Sequence, residues 1–336
     1  MKFLIIRFSS VGDIVLTTPV IRCLKNQLPG VELHYLVKPL CKMAIINNPY
    51  VNKVHLLEED LNKTVDQLKS EGFDYIIDLQ RNHVTRRVKG GLNLPAFTVK
   101  KLAFRKLLFT KLKWDVMPAN EHVVDRCFKT IEPFGVYNDG AGLDYFILPD
   151  DEVKETDIPT SHLAGYIGII IGSSFYTKKM PIYKLQELCS QIDHPIILLG
   201  GPGDAIEGEK IKEVDPSKIY NACGKFSLNE TADLIRKAKL IITHDTGLMH
   251  IAAAFKKQVL AVWGSTTPSL GAFPYYGVNF LSYQSVLPYD DIQVHKLWCR
   301  PCTKMGRSNC PQGHFKCMKK IPTDQIVVRV NERLGR

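Results

Sequence analysis

Apolar residues along this chain fall in short blocks that alternate with longer amphipathic stretches. Phe3-Leu-Ile-Ile-Arg-Phe8 predicts a strand that runs into the turn Ser9-Ser10-Val11-Gly12-Asp13. From Ile14 to Gln27 the apolar positions 14, 15, 20, 21 and 24 recur at the spacing of one helix face. Val31 to Val37 alternates like a strand. Val54-His-Leu-Leu57 and Tyr75-Ile-Ile-Asp-Leu79 predict two more, with an amphipathic helix over 61–71 between them. Asp150 to Pro159 is acidic, has proline at both flanks and reads as a linker. Beyond it the pattern restarts, with strands over 165–171, 195–199, 240–243 and 259–263 and helices over 182–191, 228–237 and 250–255. Asp324 to Leu334 predicts a terminal helix, and Ser227-Leu-Asn-Glu230 has the spacing of a capping box. Strands alternating with helices predict an α/β chain of parallel sheets covered on both faces. The expected division is 1–155, 156–321 and a C-terminal helix 322–336.

Composition narrows the class. A length of 336 residues suits two cores better than one, and 45% hydrophobic with 23% charged residues excludes a wholly disordered or fibrous chain. No apolar run reaches the roughly 18 residues that cross a bilayer. The opening Met-Lys-Phe-Leu-Ile-Ile-Arg7 breaks its apolar run early and has no small-residue cleavage site, so a cytoplasmic chain is expected. The net charge of +10 is concentrated: Arg81 to Lys113 contains ten basic residues and no acid, and the remainder is balanced. Such a patch points to an anionic partner. Of nine cysteines, Cys23, Cys41, Cys127, Cys189 and Cys223 are scattered and read as buried small hydrophobes. The other four form Cys299-x2-Cys302-x7-Cys310-x6-Cys317 with His314 inside, a spacing that suits one structural zinc ion remote from the reaction, or a packed cluster of reduced thiols.

In open parallel sheets ligands bind where strands end at their carboxyl side. Small and hydroxyl residues crowd those turns: Gly172-Ser173-Ser174 followed by Lys178, Gly200-Gly-Pro-Gly-Asp204, His244-Asp245-Thr246-Gly247 with His250 a turn later, and Gly264-Ser-Thr-Thr-Pro268. Close backbone approach and helix-opening amides suit a nucleotide or sugar nucleotide. Neither Gly-x-Gly-x-x-Gly at the first turn nor Gly-x-x-x-x-Gly-Lys-Ser/Thr is present. No Asp-x-Asp pair offers a divalent metal to a diphosphate, which leaves helix amides, hydroxyls and Lys178 to neutralise it.

These motifs together resemble the lipopolysaccharide heptosyltransferases, glycosyltransferase family 9. The resemblance runs through Arg7-Phe-Ser-Ser-Val-Gly-Asp13, Asp78-Leu-Gln80, Gly172-Ser-Ser174 with Lys178 and Pro181, Gly200 to Asp204, Ser227 to Glu230, Asp245-Thr-Gly-x-x-His250 and Cys299-Arg-Pro-Cys302 through Cys317. It implies a GT-B architecture of two facing Rossmann-like domains and an interdomain cleft. The N-terminal domain would bind the acceptor and the C-terminal domain the donor. The implied reaction is an inverting, metal-independent transfer of heptose from ADP-heptose to the nascent lipopolysaccharide core. Asp13 matches the family's base. Ser173, Ser174, Lys178, Glu230, Asp245, Thr246, Gly247 and His250 match donor contacts. The family often has Trp before Pro in its Lys-x-Trp-Pro block, where this chain has Met180-Pro181.

Plainer readings stand beside these. Asp13 and Asp245 fit helix caps, Glu230 fits the capping box, Lys178 fits a solvated lysine, Ser173 and Ser174 fit a turn, and His250 fits a helix histidine. For Arg81, Arg86, Arg87, Lys100, Lys101, Arg105 and Lys106 the expectation is docking of an anionic lipid-linked acceptor. With Leu102, Phe104, Leu107, Leu108 and Phe109 the segment could form an amphipathic helix at the cytoplasmic face of the inner membrane, the alternative being a solvated basic helix on the first domain. The protein is expected to be a monomer that binds no nucleic acid. Two other functions compete: another sugar-nucleotide enzyme such as an epimerase, and a nucleic-acid-binding module built from the basic segment and the cysteines. The second leaves Asp13, Lys178 and Asp245 without a role.

Overall fold

The computed structural model describes residues 1–119 and 121–335. The chain forms two compact units. One gathers Met1–Leu102, Glu121–Phe146 and Tyr276–Tyr283, and the other Ala103–Asn120, Ile147–Tyr275 and Gln284–Arg336.

The first unit carries β1 (Lys2–Ile6), β2 (Glu32–Val37), β3 (Lys53–Leu56), β4 (Tyr75–Asp78) and β5 (Ala96–Thr98) in the order β3-β2-β1-β4-β5. The second carries β6 (Ile167–Ile170), β7 (Ile196–Leu199), β8 (Ile219–Asn221), β9 (Leu240–His244), β10 (Val259–Trp263) and β11 (Tyr289–Gln293) in the order β11-β10-β9-β6-β7-β8. Every pairing is parallel. This is the α/β class the pattern predicts. Central strands such as β1, with Phe3, Leu4, Ile5 and Ile6 all fully buried, lack alternation because helices cover both faces. The strands missed by pattern, β5, β8 and β11, are all at or near sheet edges. There a short or polar run such as Tyr-Asp-Asp-Ile-Gln loses little, because one side has no ladder to match.

Two expected helices come out differently. The stretch 14–27 is two helices, Val11–Val15 and Thr18–Gln27. Pro19 lacks an amide hydrogen and so opens the second helix, while the Thr17 and Thr18 hydroxyls donate back to Ile14 O at 2.7 Å and Val15 O at 2.8 Å. The basic segment is not one amphipathic helix. Asn82 caps helix His83–Leu92, Asn93 ends it in the left-handed region, and Pro95 leads into β5. A helix over Ala103–Leu107 and a π-turn over Leu108–Leu112 follow, and these belong to the second unit. Lys100 and Lys101 thus lie in the first unit, and Arg105 and Lys106 in the second.

The terminal helix Thr323–Leu334 is part of the second unit's core, where Ile326 and Val330, one turn apart, are buried against Leu185, Leu188 and Met318. Ile326→Ala should lower unfolding stability by about 2–5 kcal/mol. Val328→Ala, on the 55% exposed face, should stay within about 0.5 kcal/mol. Urea midpoints measured side by side check this; equal midpoints would mean the helix is not integral to the core.

Candidate active site

Each sheet reverses its strand order at one place, and the turns there carry most of the motif residues. In the first unit the chain runs from β1 outward to β2 and β3, then returns to β4 on the other side of β1. The carboxyl ends of β1 and β4 therefore flank a topological switch point. Asp78, fully buried at the end of β4, accepts from Gln80 N (3.1 Å) and Arg81 N (2.7 Å) and lies 2.8 Å from Lys89 Nζ. Gln80 Oε1 accepts from Phe8 N at 3.0 Å. Asp78-Leu-Gln80 thus ties the end of β4 to the end of β1.

Arg7 completes the clamp. Its Nη1 donates to Leu79 O (2.5 Å), its Nε to Ser9 O (3.1 Å), and its Nη2 lies 2.7 Å from Asp13 Oδ1. Asp13 Oδ2 accepts from Ser10 N and Ser10 Oγ, both at 3.1 Å. Burial pushes the Asp13 carboxyl up, but the Arg7 guanidinium and the Ser10 donors outweigh it and hold the pKa below the usual carboxylate value. The cap is real, and the carboxylate still keeps 39% of its side-chain surface exposed. Of the expected acceptor residues, Arg81 sits on this rim with Nη1 donating to Val99 O at 3.3 Å. Arg86 and Arg87 are exposed on the following helix, Lys100, Lys101 and Arg105 are exposed, and Lys106 is half-buried.

In the second unit the switch point lies between β6 and β9. The turn after β6 carries Gly172, half-buried Ser173, exposed Ser174 and Lys178. The turn after β9 carries Asp245, with Thr246 capping helix Gly247–Ala254 by accepting from Leu248 N at 3.1 Å. Lys178 Nζ and Asp245 Oδ2 lie 2.7 Å apart, and Thr266 Oγ1, from the turn after β10, donates to the same oxygen at 2.8 Å. Lys178 is thus no solvated surface lysine. His250 is buried on the inner side of that helix. Glu230 forms the capping box, its Oε2 accepting from Ser227 N at 2.7 Å and Ser227 Oγ accepting from Glu230 N at 3.2 Å.

Neighbouring residues brace this pair. Lys179 bonds Asp204 (2.5 Å) and Glu207 (3.1 Å), and a Cβ at Gly172 would lie 2.3 Å from Asp204 Oδ2 and push that carboxylate aside. Met180, standing where the family often has Trp, is buried in the core, and its amide donates to His244 Nε2 at 3.0 Å. Burial and the Lys179 charge push His244 down to about 4, so its ring is a neutral acceptor.

The cysteine loop, expected to lie remote from the motif turns, instead packs against the turn after β10. Cys302 N donates to Ser265 O at 3.1 Å. Arg300, between Cys299 and Pro301, donates to Gly264 O (2.6 Å), Thr266 O (2.9 Å) and Val294 O (2.8 Å), so it sets the backbone of the residue that bonds Asp245. Lys113, last of the basic segment, donates to Cys299 O (3.0 Å) and Pro301 O (2.7 Å). All four thiols are free, and Cys299 Sγ lies 3.8 Å from His314 Nε2. Among the described residues no three of them converge within the 4.8 Å spacing of a metal site. Sequence reasoning missed Arg7, Thr266 and Arg300. Their signals were present in the quoted motifs, but Arg7 and Arg300 act largely on backbone carbonyls and Thr266 on a carboxylate from another turn, and neither leaves a spacing rule to read.

The comparisons bear on the family and the fold. A lipooligosaccharide heptosyltransferase 2 from Haemophilus ducreyi is 25% identical over all of both chains. Two solved structures share the fold. A glycosyl transferase family 9 protein from Veillonella parvula has a TM-score of 0.75 at 18% identity, covering 99% of this chain and 97% of its own. The Escherichia coli ADP-heptose LPS heptosyltransferase II has a TM-score of 0.70 at 19% identity, covering 100% and 99%. The family described as "Glycosyltransferase family 9 (heptosyltransferase)" matches residues 62–308, and this chain, a glycosyltransferase, belongs to it.

Proposed function

We propose that the chain transfers heptose from ADP-heptose to the nascent lipopolysaccharide core, with inversion and without a catalytic metal. The observation that carries this reading is the Lys178–Asp245 pair at the switch point of the second sheet, beside the opening of helix Gly247–Ala254. In this reading Lys178, Ser173, Ser174 and the amides of Thr246 and Gly247 receive the diphosphate. Asp245 faces the heptose and Glu230 takes the ribose, while the buried His250 supports the helix that opens beside them. The names of the relatives support this donor and acceptor.

The acceptor oxygen bonds to the anomeric carbon from the face opposite the diphosphate. The bond from that carbon to the diphosphate oxygen breaks, and ADP leaves with the electron pair. The hydroxyl proton passes to Asp13. A carboxylate held low by Arg7 is too weak a base to deprotonate an alcohol beforehand, so the proton moves as the new bond forms. Lys178 counters the charge that grows on the leaving diphosphate. The cysteine loop serves this reading as the buttress of the donor turn through Arg300. A structural zinc at Cys299, Cys302, Cys310 and Cys317 would require the four thiols to close up first.

Peripheral membrane contact draws support from the second unit, where Phe104 (71%), Leu107 (52%) and Trp114 (61%) are exposed among Arg105, Lys106 and Lys111. Each basic side chain at an anionic surface contributes about 1 kcal/mol.

Asp13→Asn should reduce transfer at least tenfold while leaving ADP affinity intact, and Lys178→Ala should weaken ADP binding by about 1.5–3 kcal/mol. Calorimetry and a transfer assay on both variants decide it; normal transfer by Asp13→Asn, or normal ADP affinity in Lys178→Ala, would remove the respective role.

Removing Arg7 should shift the pH profile. In the wild type, activity resting on ionised Asp13 is lost only as pH falls through a folded pKa below the ordinary value of about 3.9. Arg7→Met lifts that pKa, so the acid limb of kcat/KM should move to higher pH. An unmoved limb would show that Asp13 does not set it.

Reversing Lys100, Lys101, Arg105 and Lys106 to Glu should abolish sedimentation with anionic liposomes and raise KM for a lipid-linked acceptor, with ADP affinity unchanged. Normal liposome binding by the quadruple variant would separate this segment from the membrane.

A further inference from the structure

At the amino-terminal edge of the first sheet, away from Asp13, an apolar face carries a cluster of polar groups that the transfer does not use. Register places Lys2, Glu32, His34, Lys53 and His55 on one face of β1, β2 and β3. His34 is 2% and His55 9% exposed, and Phe73 packs edge-on against both rings. Glu71, just after helix Leu61–Lys69, comes in over them. His34 Nδ1 lies 2.8 Å from His55 Nε2 and 3.7 Å from Glu71 Oε2, and His55 Nε2 lies 3.9 Å from Glu71 Oε1.

We infer that His34 Nδ1, His55 Nε2 and the Glu71 carboxylate form a site for a divalent transition metal of the zinc type, in a structural role. Three donors on a tetrahedral ion at about 2.0–2.2 Å stand roughly 3.3 Å from one another. The ring nitrogens stand inside that value and the two Glu71 oxygens, one near each ring, stand outside it, so the site closes when the rings part slightly and one carboxylate oxygen moves in between them. Two imidazoles and one carboxylate are a donor set that zinc, cobalt and nickel accept.

Hydrogen bonding prepares the first ligand. His34 Nε2 lies 2.7 Å from Glu32 Oε1. An ionised carboxylate can only accept, so Nε2 carries the proton and Nδ1 presents its lone pair inward. A carboxylate behind a histidine is the usual support of a metal-bound imidazole. In the metal-free state His55 Nε2–H donates to that lone pair. On metal binding the His55 proton shifts to Nδ1 and Nε2 turns ligand, with no net change in ring charge. The competitors are the ammonium groups on Glu71, Lys53 at 2.5 Å and Lys2 at 3.3 Å. Lys53 is 55% exposed and can swing into solvent, which frees Oε1.

Cobalt(II) titration of the full, reduced, chelator-stripped chain tests this independently of the proposed function. The cysteine loop, if it binds cobalt, gives thiolate-to-metal charge transfer in the near ultraviolet. The histidine site gives visible ligand-field bands without it. We expect about one equivalent of the second kind, lost in His34→Gln/His55→Gln. Glu32→Gln should weaken cobalt binding about 10–100-fold. Lys53→Ala, at an exposed position that does not threaten folding, should tighten it. Cobalt bands only of the thiolate kind, bands that survive the double histidine variant, or an affinity untouched by both Glu32→Gln and Lys53→Ala would overturn the site.

Discussion

The second unit is organised around an opposite-charge pair that is largely withdrawn from water. Lys178 and Asp245 retain 14% and 15% of their side-chain exposure. Either charge alone at that depth would be costly, so each requires the other and the turns that deliver them. That requirement fixes the order of structure around it. β6 and β9 must be neighbours, Thr266 must bring its hydroxyl to the same carboxylate, and Arg300 must hold Thr266 by its carbonyl. The lysine is thereby held by its own scaffold, and in the proposed transfer such a fixed charge would act without reorganisation when charge develops.

The first unit applies the same logic with the balance reversed. Arg7 retains 13% exposure and Asp13 39%, so the guanidinium is the anchored member and the carboxylate the presented one. Arg7 spends its other donors on Leu79 O and Ser9 O, which makes it part of the scaffold. Asp13 is both cap and candidate base. The cap occupies Oδ2 and Arg7 takes Oδ1 from one side, and these contacts orient the group without covering it.

Much of this was legible in the chain, for definable reasons. Central parallel strands are covered on both faces and appear as unbroken apolar runs, so β1, β7 and β10 could be placed within a residue or two. Helices with caps, such as Leu228–Lys237, were placed to the residue because Ser227 and Glu230 mark their start. At the edges, where one side has no ladder, apolar β3 was read but the three-residue β5 and β8 and the polar β11 went unseen. Position along the chain gave the motif residues, whereas pairing required strand order. Nothing in the spacing of Lys178 and Asp245 says that β6 and β9 adjoin. Glu32, His34, His55 and Glu71 were missed because isolated polar residues within apolar strands look like noise until register stacks them.

A parallel sheet explains why chemistry and a stabilising cluster can coexist in one small unit. All its carboxyl ends open on one edge, where turns lead into helices whose amides favour anions, and all its amino ends gather on the other. Between them the face is filled by Leu4, Ile6, Leu36 and Ile76, all fully buried. In the register His34 stands level with Leu4 and His55 level with Leu36, so the cluster reaches in from the amino ends and stops short of Arg7. What separates it from Asp13 is its set of partners: Lys2, Lys53 and the two histidines engage Glu32 and Glu71, whereas Asp13 engages Arg7 and Ser10. The two networks share no residue, so the cluster can hold a cation, or its lysines and glutamates in the cation's place, while Asp13 keeps its own ion pair and cap.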